Sequence, residues 1–207
     1  MHTYLKYLPE TPTSPITLVM LHGVGSDEKD LFALHKHFSD YRVFSLRAPI
    51  ELPAHGFAWY HIDFSTGRPT YTYDDIVASG RYIQEFLQYL SVTYNIDREN
   101  IVLFGFSQWA IMSYYTLLTF PRSIQGIIGL SGRLLQELEA ASLEQIQNKK
   151  IFLGHGAFDG VIKVQEAEKL QKFFENSHLS LTYKIYSMPH SVSPEEIQDI
   201  QSWLKDF

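Results

Sequence analysis

Ile101-Val102-Leu103-Phe104-Gly105-Phe106-Ser107-Gln108 runs an apolar, strand-like stretch into Gly-x-Ser, and a helix-period segment follows at once. A sharp strand-to-helix turn holds such a serine in a strained conformation and lifts its hydroxyl above the sheet edge, where it can act as a nucleophile. Gly105 is expected to permit the turn because a side chain two residues before Ser107 would strike neighbouring strands. The turn also sets the Gln108 backbone N–H at a helix N-terminus, as an unpaired donor for a developing oxyanion. A serine at this position can equally be a helix cap. These eight residues alone leave both readings open.

A hydroxyl is a poor nucleophile near neutral pH, so it needs a base, and the base needs a carboxylate to fix its tautomer. With an elbow nucleophile the order along the chain is Ser, then Asp or Glu, then His. Of the nine histidines only His155, His178 and His190 follow Ser107. His178, beside Asn176 and Ser177, fits a surface position near a helix end. His155, in Leu153-Gly154-His155-Gly156, sits at a strand end, where it would either reach the site or brace it. His190 follows the last strand, after Ser187-Met188-Pro189, and is the expected base. Asp159, in Gly156-Ala157-Phe158-Asp159-Gly160, is the expected acid, because catalytic groups collect beyond strand ends. An Asp-Gly turn is its alternative reading.

Leu21-His22-Gly23-Val24-Gly25 follows the first strong strand, and two glycines around Val24 let the backbone curl close to a ligand. The Val24 N–H is therefore the expected second oxyanion donor. The alternative is a plain strand-to-helix turn. His22 is expected to be a hydrogen-bonded structural residue, and His35 and His37, two apart, point to different sides of a helix. No metal site is expected.

The elements that must position these groups alternate short apolar runs with helix-period segments, as in a mostly parallel sheet wrapped by helices. Strands are expected over Ile16 to Leu21, Arg42 to Leu46, Asn100 to Gly105, Ile124 to Leu130, Ile151 to Leu153 and Leu179 to Tyr186. Helices are expected over Asp27 to Phe38, from Asp74 through Tyr94, over Gln108 to Thr119, Leu134 to Ile146 and Val164 to Asn176, and from Pro194 onward. The second carries Ile76, Ile83, Leu87, Leu90 and Tyr94 at helical spacing. Ser193-Pro194-Glu195-Glu196 reads as a capping box with proline at the first helical position, a structural role for both glutamates. Between Ala48 and Tyr73 lies a long loop with Pro49, Pro53, Gly56, Gly67 and Pro69, a candidate active-site rim.

With 207 residues, 45% of them hydrophobic, the chain is expected to form one domain, 1–207, around a sizeable core. The formal net charge is -6 and the 17 lysines and arginines are scattered, which argues against a nucleic-acid partner. There is no cysteine, hence no disulfide and no Cys nucleophile. No signal-peptide pattern opens the chain, and no apolar run approaches the roughly 20 residues that span a bilayer. A cytoplasmic location is the expectation.

Taken in order, Leu21-His22-Gly23-Val24-Gly25 with Asp30, Gly105-Phe106-Ser107-Gln108, Leu130-Ser131-Gly132, His155-Gly156-Ala157-Phe158-Asp159 and the late His190 resemble the phospholipase/carboxylesterase family of α/β-hydrolases, which includes acyl-protein thioesterases. The resemblance covers nearly the whole chain. It implies an α/β-hydrolase fold with helices on both faces of the sheet and no large cap domain. It also implies a triad of Ser107, Asp159 and His190, an oxyanion hole from the N–H groups of Val24 and Gln108, and no cofactor. Arg47-Ala48-Pro49 and Gly56-Phe57-Ala58-Trp59-Tyr60 look like the family's segment before and along the acyl site, so Phe57, Trp59 and Tyr60 are expected as pocket walls, with core packing as their alternative. The implied substrates are carboxyl esters or thioesters, lysophospholipids or acylated proteins among them. Two departures stand out. Trp109 and Ala110 replace the family's Gly-Gly after Gln108, and Gly160-Val161-Ile162-Lys163 lacks its proline. Trp109 is expected to turn toward the pocket and narrow it; the rival outcomes are a non-catalytic acyl-binding protein whose elbow Trp109 distorts, and a serine peptidase on the same fold.

Overall fold

The computed structural model describes residues 1–63, 65, 70–175, 177 and 179–207. Gly67, Pro69, Asn176 and His178, each singled out above, lie outside the described residues.

Strand β1 (Tyr4–Tyr7) is followed by β2 (Thr17–Leu21), the short helix α1 (Lys29–Phe32) and β3 (Arg42–Leu46). Two small antiparallel pairs come next, β4 (Ile50–Glu51) with β5 (Phe57–Ala58), and β6 (Ile62–Asp63) with β7 (Thr70–Tyr71). The chain then alternates helix α2 (Tyr73–Tyr94), β8 (Ile101–Phe106), α3 (Gln108–Thr119), β9 (Gly126–Leu130), β10 (Lys150–Gly156), α4 (Val164–Glu175), β11 (Ser180–Tyr186) and α5 (Pro194–Leu204). Seven strands form one sheet in the order β1-β3-β2-β8-β9-β10-β11. Only β1 runs antiparallel; the other pairings are parallel.

Strand periodicity divides the core into two layers. On one face Val19, Leu21, Leu103 and Ile127 pack under α2, α3 and α4, through Ile83, Ile111 and Leu170 among others. On the other, Leu18, Met20, Phe104 and Phe152 pack against Leu31 of α1 and Ile200 and Trp203 of α5. Helices therefore cover both faces, as the α/β alternation requires. α2 ends on Asn95 in the left-handed region (φ 51°, ψ 46°), a conformation asparagine tolerates. At α5 the Ser193 side chain accepts from the Glu196 N–H at 3.1 Å with Pro194 in the first turn, the cap read from the sequence.

Four readings need correction. β1 was absent from the expected strands; it is a four-residue edge strand, Tyr-Leu-Lys-Tyr, without a fully buried residue to give it a signature. The expected helix from Leu134 to Ile146 is two isolated 3₁₀ turns, Gln136–Leu138 and Glu144–Ile146, which pin Leu138 and Ile146 to the core. The expected helix over Asp27 to Phe38 divides into α1 and a 3₁₀ segment, Ala33–Phe38. The segment from Ala48 to Tyr73 is not structureless, since β4 to β7 lie within it.

Candidate active site

Between β8 and α3 the backbone of Ser107 takes φ 62° and ψ -121°, a strained pair for a residue with a side chain. Its N–H donates to the Leu130 carbonyl at 2.9 Å, so β9 holds the turn from the side. A Cβ on Gly105 would sit 2.8 Å from the carbonyl carbon and oxygen of Trp109 and 2.9 Å from the Ala110 nitrogen. The obstacle is the first turn of α3 rather than a neighbouring strand, and backbone atoms cannot swing aside. The first bond of the helix is Ile111 N–H to the Ser107 carbonyl at 3.4 Å, which leaves the Gln108 N–H without an intrahelical acceptor. The Ser107 hydroxyl makes no capping bond. It points instead to a histidine.

His190 Nε2 stands 2.9 Å from Ser107 Oγ, and His190 Nδ1 stands 2.6 Å from Asp159 Oδ2. Because a carboxylate only accepts, Nδ1 carries the proton and Nε2 is free to accept from the serine hydroxyl. Asp159 also answers to its turn reading, for Oδ1 accepts from the N–H groups of Val161 and Ile162, both at 2.8 Å. Burial alone would raise its pKa, yet the His190 bond and those two N–H groups hold the carboxyl below the ordinary range. His155 braces and does not reach Ser107. Its Nε2 donates to the Ile162 carbonyl at 2.8 Å and lies 3.4 Å from Asp159 Oδ2. The Phe106 ring packs on the His190 ring at 4.7 Å between centroids.

Around Val24 the loop after β2 is fixed from three directions. His22 accepts from the Ala48 N–H on Nε2 at 3.0 Å, so its Nδ1 donates to the Gly23 carbonyl at 2.9 Å. That carbonyl belongs to the same rigid peptide plane as the Val24 N–H, whose direction is thereby set. Burial holds His22 neutral by lowering its pKa, outweighing its bond to Gly23. From the rim, Gly25 N–H donates to the Phe57 carbonyl at 3.0 Å and Phe57 N–H to the Ser26 carbonyl at 2.8 Å. Arg47 covers the Phe57 ring at 4.6 Å and grips Glu28 through Nε and Nη2 at 2.5 and 2.7 Å. Gln108 ties the rim to the elbow with its side chain, accepting from Trp59 N–H at 3.0 Å and donating to the Tyr60 carbonyl at 2.8 Å. Nothing in the residue pattern signals this clamp, because only the Gln108 backbone N–H was expected to matter.

A cavity of about 280 Å³ opens beside the elbow, lined by Ser107, Gln108, Val24 and Tyr60. Further walls come from Ile62, Tyr71, Ile111, Val161 and Ile162. Tyr60 is the one member of the expected aromatic wall that borders it. Phe57 pairs with the loop after β2 through its backbone, and Trp59 and Trp109 are fully buried. The expectation that Trp109 narrows the pocket is therefore corrected: its indole packs into the core against Trp59 and edge-on to His22 at 5.9 Å. The space over the first turn of α3 is closed by the rim loop, so the side chain is enclosed instead of facing the pocket. It does so without opening the elbow, since the Ser107 to His190 distance remains 2.9 Å. Neither Trp109 Nε1 nor Trp59 Nε1 has a hydrogen-bond partner among the described residues. Among those residues no group of three His, Asp or Glu is placed to hold a metal ion, and no helix is long and apolar enough to cross a membrane.

Residues 9–207 match the phospholipase/carboxylesterase family. A relative named acyl-protein thioesterase 1 from Kluyveromyces lactis is 35% identical over 71% of this chain and 67% of its own. The protein of the same name from Cryptococcus neoformans is 26% identical over 100% of this chain and 99% of its own. The crystal structure of the Bacillus cereus carboxylesterase superposes with a TM-score of 0.88 at 21% identity, covering 100% of this chain and 94% of that one.

Proposed function

The chain belongs to the phospholipase/carboxylesterase family, a serine ester and thioester hydrolase family in general terms, and from that premise we propose that Ser107, His190 and Asp159 hydrolyse the acyl bond through an acyl-enzyme. The observation that carries the reading is the continuous relay Asp159 Oδ2 to His190 Nδ1 and His190 Nε2 to Ser107 Oγ, built on a strained elbow. In the first half-reaction Ser107 Oγ attacks the carbonyl carbon as His190 Nε2 takes the hydroxyl proton. The negative charge that develops on the carbonyl oxygen meets the N–H groups of Gln108 and Val24. Collapse expels the alkoxide or thiolate, which leaves with the proton from His190. Water then repeats the sequence on the acyl-serine, releasing the carboxylic acid and restoring the hydroxyl.

Asp159 keeps the imidazole in the accepting tautomer and stabilises the imidazolium that forms. Ester and thioester substrates both fit this chemistry, because the oxyanion donors address the carbonyl and not the leaving atom. Acyl groups of small esters, lysophospholipids or acylated proteins are its proposed donors. The test is turnover of a short chromogenic ester and of the matching thioester by the intact protein, and its loss in Ser107→Ala. A residual effect of binding and the oxyanion hole is the most that variant should keep. Undiminished turnover in Ser107→Ala would end the reading.

A further inference from the structure

The cavity beside Ser107 holds positive charge that a purely hydrocarbon acyl chain would not use. Arg133 and Lys163 both line it. Arg133 lies three residues beyond Leu130, whose carbonyl accepts from the Ser107 N–H. Ser107 and Arg133 line the same cavity, so the guanidinium and the nucleophile border one small volume. The Tyr71 ring lies 5.2 Å from Arg133 Cζ, and Nη1 reaches the Leu134 carbonyl at 3.5 Å. No carboxylate among the described residues comes within 4.0 Å of Arg133. Glu166, the acidic residue on the same cavity wall, is engaged by Lys169 at 2.6 Å. Glu137 nearby accepts from the Tyr71 hydroxyl at 2.8 Å. The cavity wall thus carries two cations against one acidic residue in a chain of net charge -6.

We propose that Arg133, assisted by Lys163, receives a carboxylate at the far end of the acyl group, so that the preferred acyl donors are short dicarboxylic acids esterified at one end. The inference rests on the hydrolase reading above. It assigns the cavity to the acyl side because the leaving group must meet His190 to be protonated, and His190 is outside the cavity lining, whereas Ser107, Val24 and Gln108 are within it. A planar guanidinium suits a carboxylate because it offers two parallel N–H donors. Half-burial against Tyr71 limits the screening that weakens an exposed pair.

The test compares an aryl half-ester of glutaric acid with the same aryl ester of pentanoic acid. The wild-type protein should favour the glutarate ester in kcat/KM by about 10- to 100-fold, the worth of a hydrogen-bonded charge pair. Arg133→Met should abolish the preference, mainly through KM, while Arg133→Lys should keep part of it. In a second arm free glutarate should slow fluorophosphonate labelling of wild-type Ser107 at concentrations where pentanoate does not. This arm needs no variant to fold. Equal rates on the two esters, a preference that survives Arg133→Met, or no protection by glutarate would each overturn the proposal. A preference for an anionic phenol over a neutral one, at constant acyl group, would place the cation site on the leaving-group side and overturn it too. If neither ester turns over and Ser107 takes no label, the hydrolase reading itself has failed, and this inference falls with it.

Discussion

Asp159 divides its two oxygens between two tasks, Oδ1 closing a turn on Val161 and Ile162 and Oδ2 facing His190. Asp159→Asn should therefore leave the fold nearly intact while lowering kcat on the order of 10⁴-fold, because the imidazole loses the group that fixes its tautomer. A loss below tenfold in steady-state assays would assign the acid elsewhere. Gln108 is the residue whose side chain the sequence concealed: a single chain shows that its N–H opens a helix, but not that its amide clamps the Trp59 and Tyr60 backbone. Ser107, Asp159 and His190 were legible because each closes a motif at a strand end. Trp109 was not, since residue type alone does not say which side of a helix the rim will cover. With Trp109 enclosed in the core, Trp109→Gly should destabilise by about 3–5 kcal/mol, the usual cost of truncating a buried aromatic. It should also leave the ratio of rates on acetate and longer acyl esters unchanged. A raised melting temperature, or a selective gain on long chains, would contradict the core placement.

The rim loop between β3 and α2 acts on the loop after β2, which carries the proposed Val24 donor, through backbone contact more than through its aromatic side chains. Gly56 has φ 82°, and a Cβ there would lie 2.2 Å from the Gly25 carbonyl oxygen. Both strain and collision oppose any side chain at that position. Gly56→Ala should push the two loops apart and misdirect the Val24 N–H, with kcat falling on the order of 10²-fold, as when one oxyanion donor is lost. Kinetics showing a change in KM alone would mean that the rim does not support Val24. Glycine and proline punctuation marked this loop as a rim, whereas β4 to β7, two residues each, are too short to carry a period. The inner parallel strands were legible from short apolar runs, and β11 from its alternation. The segment from Leu134 to Ile146 misled because its leucines have helical spacing while the folded chain uses them as separate anchors, Leu138 in one 3₁₀ turn and Ile146 in the next.

Across the whole molecule, the two faces of the sheet do different work. The face covered by α2, α3 and α4 carries Trp109 and the rim contacts; the other is closed by α5, where Glu196 is fully buried beside Gly154 with no hydrogen-bond partner for either carboxylate oxygen among the described residues. Burial raises the Glu196 pKa from its ordinary 4.5 to about 8. Between those values the folded protein holds a proton that the unfolded chain has released, so stability falls as pH rises from about 4.5 to 8 and then levels off for this group. Glu196→Gln should remove that slope and raise the midpoint of urea unfolding at neutral pH; an unchanged slope would mean that the carboxyl is ionised in the fold. The central claim, that Ser107 is an activated nucleophile, is tested most directly by labelling the intact protein with a fluorophosphonate and mapping the adduct by mass spectrometry. The relay of Asp159, His190 and Ser107 predicts one adduct, on Ser107, formed in step with loss of ester turnover. An adduct on Ser131 or another serine, or full turnover with Ser107 unlabelled, would contradict the account.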